Sequence, residues 1–302
     1  MNNSRRAFLK NSSLLAAGSI ALGHEVFAAR ATKQIVGIQL YSVRDDMTKD
    51  PLGTLKQLRA MGYTHVEHAN YVNRKLYGWT PTEFRKVLDD LGLKMPSGHT
   101  VMGPKHWDNE KKDFSDSWKQ TVEDAAILGQ SFVVSPWLDA SLRKTYDDTL
   151  RYMEVFNKSG ELCKKSGMKF GYHNHDFEFS QKLNGMVLYD IILKNTEPDL
   201  VSHQLDMGNL YNGGAKTEDV LRKYPGRFET LHVKDEIKSE GAGEKYESTI
   251  LGKGIVNLKA NLDLVKKAGG TKYLIIEQEA YQGRTAMDSA KEDLAIMKAW
   301  GY

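Results

Sequence analysis

Eight times along this chain a short β-rich run gives way to a stretch with helical spacing, and that alternation constrains the fold more than any single motif. The runs are Gln34–Tyr41, His65–His68, Leu93–Ser97, Phe132–Ser135, Lys169–His173, Leu200–Asp206, Phe228–Val233 and Tyr273–Glu277. Between the early ones, apolar residues recur three and four apart: Leu52, Leu55, Leu58 and Met61; then Phe84, Val87, Leu88 and Leu91; then Trp118, Val122, Ala125 and Ala126; then Leu150, Met153, Phe156 and Leu162. Later helices are expected at Met186–Leu193, Thr217–Lys223, Leu258–Ala268 and Thr285–Trp300. Gly62, Gly92 and Gly167 each stand just before the next run, where a helix ends in a left-handed cap. A helix after every strand makes neighbouring strands parallel, and eight such units favour one α/β domain, a single (β/α)8 TIM barrel, over an open doubly wound sheet.

The first residues stand apart from that pattern. Ser4-Arg5-Arg6-Ala7-Phe8-Leu9-Lys10 resembles the twin-arginine export motif, and an apolar run, Leu14–Leu22, follows, then small residues at Ala28 and Ala29. Residues 1–28 are therefore read as a signal peptide and 29–302 as the barrel, with the protein expected in the periplasm. The apolar run falls short of the ~20 residues that span a bilayer, so no stable membrane insertion is expected. The ~270 residues left suit a barrel of the usual size, about 250. No Pro/Ser-rich linker divides them.

The net charge is only +3, and Arg5, Arg6 and Lys10 account for much of it, so no field for polyanions is indicated. The single cysteine, Cys163, lies in an amphipathic stretch and reads as a buried thiol. One cysteine excludes dithiol redox chemistry and a cysteine-based zinc cluster.

In a (β/α)8 barrel the chemistry sits where strands give way to loops at their carboxyl ends. Those positions hold Gln39 and Tyr41, Glu67 and His68, His99, Trp137, then His173, Asn174, His175, Asp176 and Glu178, Asp206, His232 with Lys234 and Asp235, and Glu277 with Glu279. Imidazoles and carboxylates from several strands, meeting at one mouth, form a ligand set for a divalent ion such as Mn, Zn, Co or Mg. A single His or Asp at a strand end is ordinarily a hydrogen-bonding residue; four on consecutive strands point to a metal.

Five runs carry a family resemblance: Gly37–Asp45, Gly171–Phe179, Gln204–Asn209, Leu231–Asp235 and Ile275–Glu279. In this order the chain resembles the sugar phosphate isomerase/epimerase family, the xylose-isomerase-like barrels. The resemblance implies one divalent ion held by a Glu, an Asp, a His and a Glu from the fifth to eighth strands. Asp206, His232 and Glu277 fall on three of those places. The fifth-strand place reads His173 instead of Glu; His173 is the preferred substitute, with His175 or Glu178 as alternatives.

The resemblance also implies a reaction: a metal-dependent isomerase or epimerase acting through an enediolate on a keto sugar or related polyol. Glu277 is then acid or base, with His175 as a second base and His99 as a proton shuttle or a structural histidine. Lys234 would stabilise an oxyanion, or else pair with Glu236 or solvent. Gln39, Tyr41, Glu67, Trp137 and Glu178 are candidate substrate contacts, Glu67 equally a partner for a base inside the barrel; Trp79 and Trp107 are further aromatics for a sugar face. Without a second glutamate, the same enolate can expel a leaving group, and an exported 3-keto-glycoside lyase or hydrolase is the alternative. Leu251-Gly252-Lys253-Gly254 reads as a loop-shaping turn more than a phosphate cradle, which favours a neutral sugar. An apurinic-site endonuclease would need more metal ligands than 9 histidines and this set supply, and a basic face besides. A noncatalytic sugar-binding barrel would have no reason to keep Asp206, His232 and Glu277. The expected partner is a small carbohydrate and not a nucleic acid; self-association stays open.

Overall fold

All eight runs form strands, and each pairs in parallel with the next. The computed structural model describes residues 33–241 and 245–302, so the expected export segment lies outside the described residues. The strands are β1 Ile35–Gln39, β2 His65–His68, β3 Lys94–His99, β4 Phe132–Ser135, β5 Lys169–His173, β6 Val201–Asp206, β7 Thr230–Val233 and β8 Tyr273–Ile276. They close in the order β1-β8-β7-β6-β5-β4-β3-β2, a barrel, and residues Lys33–Tyr302 form one compact unit. The outer ring is α1 Pro51–Met61, α2 Pro81–Leu91, α3 Asp116–Leu128, α4 Tyr146–Lys164, α5 Leu188–Lys194, α6 Thr217–Lys223, α7 Leu258–Ala268 and α8 Ala286–Ala299. No described helix is long and apolar enough to cross a membrane.

Local sequence chemistry sets the helix limits. Thr80 and Glu83 form a capping box at the start of α2, with Pro81 in the first turn, where its missing N–H leaves no bond unmade. Gly62 and Gly92, at φ 110° and 66°, end α1 and α2 in a conformation that a side chain disfavours.

The strand limits shift from the sequence reading where a side chain competes with the ladder. β1 stops at Gln39 because its side chain accepts from Tyr41 N and starts a 3-10 turn over Leu40–Val43. β3 runs on to His99, which makes that histidine a strand residue. The helix expected from Met186 begins at Leu188 instead. Met186–Val187 pairs back on Lys182–Leu183 through Asn184-Gly185, both at positive φ (49° and 77°), the two-residue hairpin turn that Asn-Gly favours. A second hairpin, Asp235–Lys238 with Tyr246–Thr249, rises beyond β7.

The glycine-rich loop before α7 is shaped from within. The Asp235 carboxylate accepts from the backbone N–H groups of Gly252 (2.8 Å), Gly254 (3.1 Å) and Val256 (3.1 Å). A Cβ at position 254 would lie 2.3 Å from Asp235 Oδ1, so only glycine fits there.

Apolar burial falls into two clusters. The larger includes Leu40, Leu55, Phe84, Leu205, Leu231 and Leu274; the second sits between α3, α4 and the strands behind them, around Trp118, Phe156, Phe170 and Tyr172. Cys163 belongs to the second, and burial pushes its thiol up to about 12. Inside the barrel, near the carboxyl ends, the filling is polar. Strand register sets Gln39 beside Glu67, Glu67 beside Ser97, Gln204 beside His173 and Asp206 beside His232.

A candidate metal centre at the carboxyl ends of the strands

His173 ends β5, Asp206 ends β6, His232 lies one residue short of the end of β7, and Glu277 follows β8. All four are buried, and one ligand atom from each lies within 4.8 Å of the others. His232 Nδ1 is 3.0 Å from Glu277 Oε2 and 3.7 Å from Asp206 Oδ2, which is 3.9 Å from His173 Nε2. Ligands bonded tetrahedrally at ~2.1 Å stand about 3.4 Å apart, so these spacings bracket the edge of a metal tetrahedron.

One atom tests the fit. Asp206 Oδ1 accepts from Asn209 N at 2.7 Å and caps the short helix Met207–Asn212, but Oδ2 is enclosed with no hydrogen-bond partner. A buried carboxylate oxygen without a donor is costly, and a cation between the four side chains would satisfy it. Two imidazoles and two carboxylates suit a borderline or hard divalent ion. Asn174 braces the site: its Oδ1 accepts from Asp206 N and its Nδ2 donates to Asp206 O, tying the end of β5 to that of β6.

Electrostatics follow from burial against neighbouring charge. Burial and Glu277 push Asp206 up to about 6. Burial also opposes ionisation of Glu277, but Lys234 and His232 outweigh it and hold that carboxyl below its usual range. His232 is likewise opposed by burial, yet Glu277 and Glu67 on its two sides raise it to about 10. These directions predict how ion loading depends on pH. An incoming ion must displace the His232 Nδ1 proton below about pH 10 and that of Asp206 also below about pH 6. Affinity should therefore rise about tenfold per pH unit between those values and about a hundredfold per unit below them. Calorimetric titration with Mn2+ from about pH 5 to about pH 8 reads the slopes, and a flat profile above pH 6 would remove His232 from the ligand set.

Around this centre the sequence candidates separate into those that face open space and those that do not. A cavity of about 770 Å³ is lined by Tyr41, His99, His173, His175, Asn209 and Glu277 among others. A second, about 640 Å³, is lined by Arg44, His175, Lys234, Glu236 and Glu279 among others. His175 borders both, its Nδ1 enclosed and unpartnered; burial and Lys234 lower it to about 4. Lys234 reaches Glu277 (3.6 Å), Glu279 and Asn209 Oδ1 (3.4 Å) rather than Glu236. Burial opposes its charge, but Asp206, Glu277 and Glu279 hold the ammonium well above its usual value.

Other candidates lie elsewhere than expected. Glu178 is fully buried behind the loop, accepting from the Tyr172 hydroxyl and from His175 N (2.9 Å), and lines neither cavity. Burial raises it to about 8. Gln39 and Glu67 are enclosed beneath the mouth, where Gln39 Nε2 donates to Glu67 Oε1 at 2.8 Å. Trp137, 39% exposed, packs edge-on against His175 beside the cavities. Trp79 stacks on Phe84, and Trp107 packs against Phe114 in a hairpin. Of the three fifth-strand alternatives, His173 is the one in the four-residue cluster. Gln204 was not singled out by the sequence, although it stands two residues before Asp206 and so projects to the same side of its strand.

Residues 55–300 match the family model described as the xylose isomerase-like TIM barrel. An inosose dehydratase of Lacticaseibacillus casei is 23% identical over 283 residues, which cover 85% of this chain and 84% of the relative. The crystal structure of a sugar phosphate isomerase/epimerase from Parabacteroides distasonis superposes with a TM-score of 0.77 at 28% identity, over 90% of this chain and 96% of that one. A 3-keto-D-glucoside 4-epimerase from E. coli shares the fold at 14% identity and a TM-score of 0.64, over 88% of this chain and all (100%) of that one.

Proposed function

Because the chain belongs to the xylose isomerase-like TIM barrel family, we propose that it is a divalent-metal-dependent carbohydrate enzyme that forms an enediolate from a keto sugar or keto-polyol and then expels a leaving group. The observation that carries the metal-dependent reading is the orphaned Asp206 Oδ2 among four converging ligands. His173, Asp206, His232 and Glu277 would hold the ion. A divalent ion there supplies Lewis acidity, stabilising negative charge that develops on a substrate carbonyl oxygen.

The chain's own groups supply the rest. Lys234, held cationic between Glu277 and Glu279, adds fixed positive charge at the edge of the second cavity. The His175 ring borders both cavities and is neutral above about pH 4, so its unprotonated nitrogen can accept the proton from the carbon beside the carbonyl. That C–H bond breaks, its electron pair forms the enediolate, and the enediolate collapses by breaking the C–O bond one carbon further on. The imidazolium of His175 returns its proton to the departing oxygen, so a keto sugar gives an unsaturated ketone and water or an alcohol.

Elimination is preferred to epimerisation because the fifth strand offers an imidazole where a symmetric proton exchange needs a second carboxylate. The inosose dehydratase relative supports the same outcome. Isomerisation or epimerisation is the second reading, favoured by the likeness to the Parabacteroides distasonis structure. The Ser4–Lys10 motif further supports a periplasmic enzyme, exported folded, whose partner is a small neutral carbohydrate.

Incubating the Mn2+-loaded enzyme in deuterated water with ketoses, keto-inositols, 3-keto-sugars and 3-keto-glycosides separates the outcomes. Loss of water or of an aglycone, abolished by chelator, is the expected result. Deuterium in an intact sugar without cleavage would replace elimination by epimerisation, and neither exchange nor product across the panel would sink both.

A further inference from the structure

Glu67 is the most heavily hydrogen-bonded side chain in the barrel interior, yet it faces neither cavity. Its Oε1 accepts from Gln39 Nε2 (2.8 Å) and His232 Nε2 (2.7 Å), with His99 Nε2 at 3.2 Å. Its Oε2 accepts from Ser97 Oγ and from Gln204 Nε2 (2.8 Å). The donors come from β1, β3, β6 and β7, so one carboxylate joins strands across the barrel.

Because a carboxylate only accepts, it dictates the polarity of everything attached to it. Gln204 must turn its NH2 toward Glu67, which aims its Oε1 at two imidazoles: His99 Nε2 at 2.7 Å and His173 Nδ1 at 3.1 Å. An amide oxygen also only accepts, so both of those ring nitrogens must carry hydrogen. His232 Nε2 must carry hydrogen as well, since it meets Glu67 directly.

We infer that Glu67 is a positioning residue that, directly and through Gln204, fixes which nitrogen keeps its proton in three histidines: Nε2 in His99 and His232, Nδ1 in His173. The opposite nitrogens of His99 and His173 are thereby left as lone pairs, and that of His232 donates to Glu277 until an ion displaces its proton. Those of His173 and His232, Nε2 and Nδ1, are the ones that approach Asp206 Oδ2, and His99 keeps an accepting Nδ1 on a ring that lines the larger cavity. A metal ligand needs the bare nitrogen, and the hydrogen bond behind the ring decides which nitrogen is bare. The assignment deepens the metal-dependent reading, but for His99 and His173 it rests on hydrogen bonds that need no ion.

The test uses the full chain, metal-free, with 15N-labelled histidine, and long-range 1H–15N NMR correlations at about pH 8, above the usual histidine pKa. His173 is expected protonated on Nδ1 and His99 on Nε2; His232, an imidazolium until an ion displaces its proton, is read after loading with Zn2+. In Gln204→Leu, His173 should lose its fixed tautomer. In Glu67→Gln, an amide N–H must face one set of donors, and Mn2+ should bind about 10–100-fold more weakly, measured by calorimetry. Circular dichroism checks that each variant is folded. A wild-type His173 protonated on Nε2 overturns the proposal, whatever the variants do. So does a folded Glu67→Gln protein that binds Mn2+ as tightly as the wild type. A wild type that binds no divalent ion would remove the metal-dependent function while leaving the tautomers to be decided by the same spectra.

Discussion

Asp206→Asn should abolish tight divalent-ion binding and lower kcat/KM by about a thousandfold or more, roughly 4 kcal/mol of transition-state stabilisation. The amide retains an oxygen to accept from Asn209 N, so the cap on Met207–Asn212 survives and the fold with it. What changes is the other end of the side chain. Where Oδ2 now stands unpartnered, an NH2 would point its hydrogens at the place a cation must occupy. Metal analysis of the purified variant, with circular dichroism melting and steady-state kinetics, reads all three effects. Full turnover in an Asp206→Asn protein stripped of metal would falsify the proposed chemistry.

Trp118→Ala should cost about 3–5 kcal/mol of folding stability, the range for deleting a large aromatic from a core. The Trp118 ring is fully enclosed in α3, packs edge-on against Phe170 of β5, and donates from Nε1 to Ser159 Oγ of α4 at 3.0 Å. Truncation leaves a cavity among three elements and strands the Ser159 hydroxyl as well. The loss should appear as a lower denaturant midpoint with the slope nearly unchanged. Mn2+ affinity at low temperature should fall by no more than a few-fold, because Asn174 still fixes the end of β5 to β6. A stability loss below about 1 kcal/mol would show that α3 and α4 are not held through this residue.

The barrel was legible because its signals are periodic and local. Alternation of strand and helix named all eight strands, and glycines after α1 and α2 marked two helix ends without reference to any distant residue. The Asn184-Gly185 hairpin was just as local, but a reading by helical period runs straight through it. The site divided along the same line. Asp206, His232 and Glu277 were readable from a family pattern, and His173 from its register in the fifth strand. Glu178 and Gln39 look like cavity residues in sequence because they stand at strand ends beside polar neighbours. Only the path of the backbone shows that Glu178 folds back to the Tyr172 hydroxyl and that Gln39 turns inward to Glu67. Gln204 gives no local signal at all, because an amide in a strand acquires meaning only from the groups that meet it across the barrel, and those come from positions 67, 99 and 173.

The Asp235 carboxylate, seated on three backbone amides of the loop before α7, bears on which ligands that edge of the barrel can admit. Such a ring of N–H groups is what a phosphoryl oxygen seeks. Here the anion is already supplied, covalently tethered and at an effective concentration no metabolite matches. A sugar phosphate reaching this loop would have to evict part of the protein itself, whereas an uncharged sugar makes no such demand. A carboxylate of the chain itself thereby closes this turn to the oxyanion it would otherwise suit.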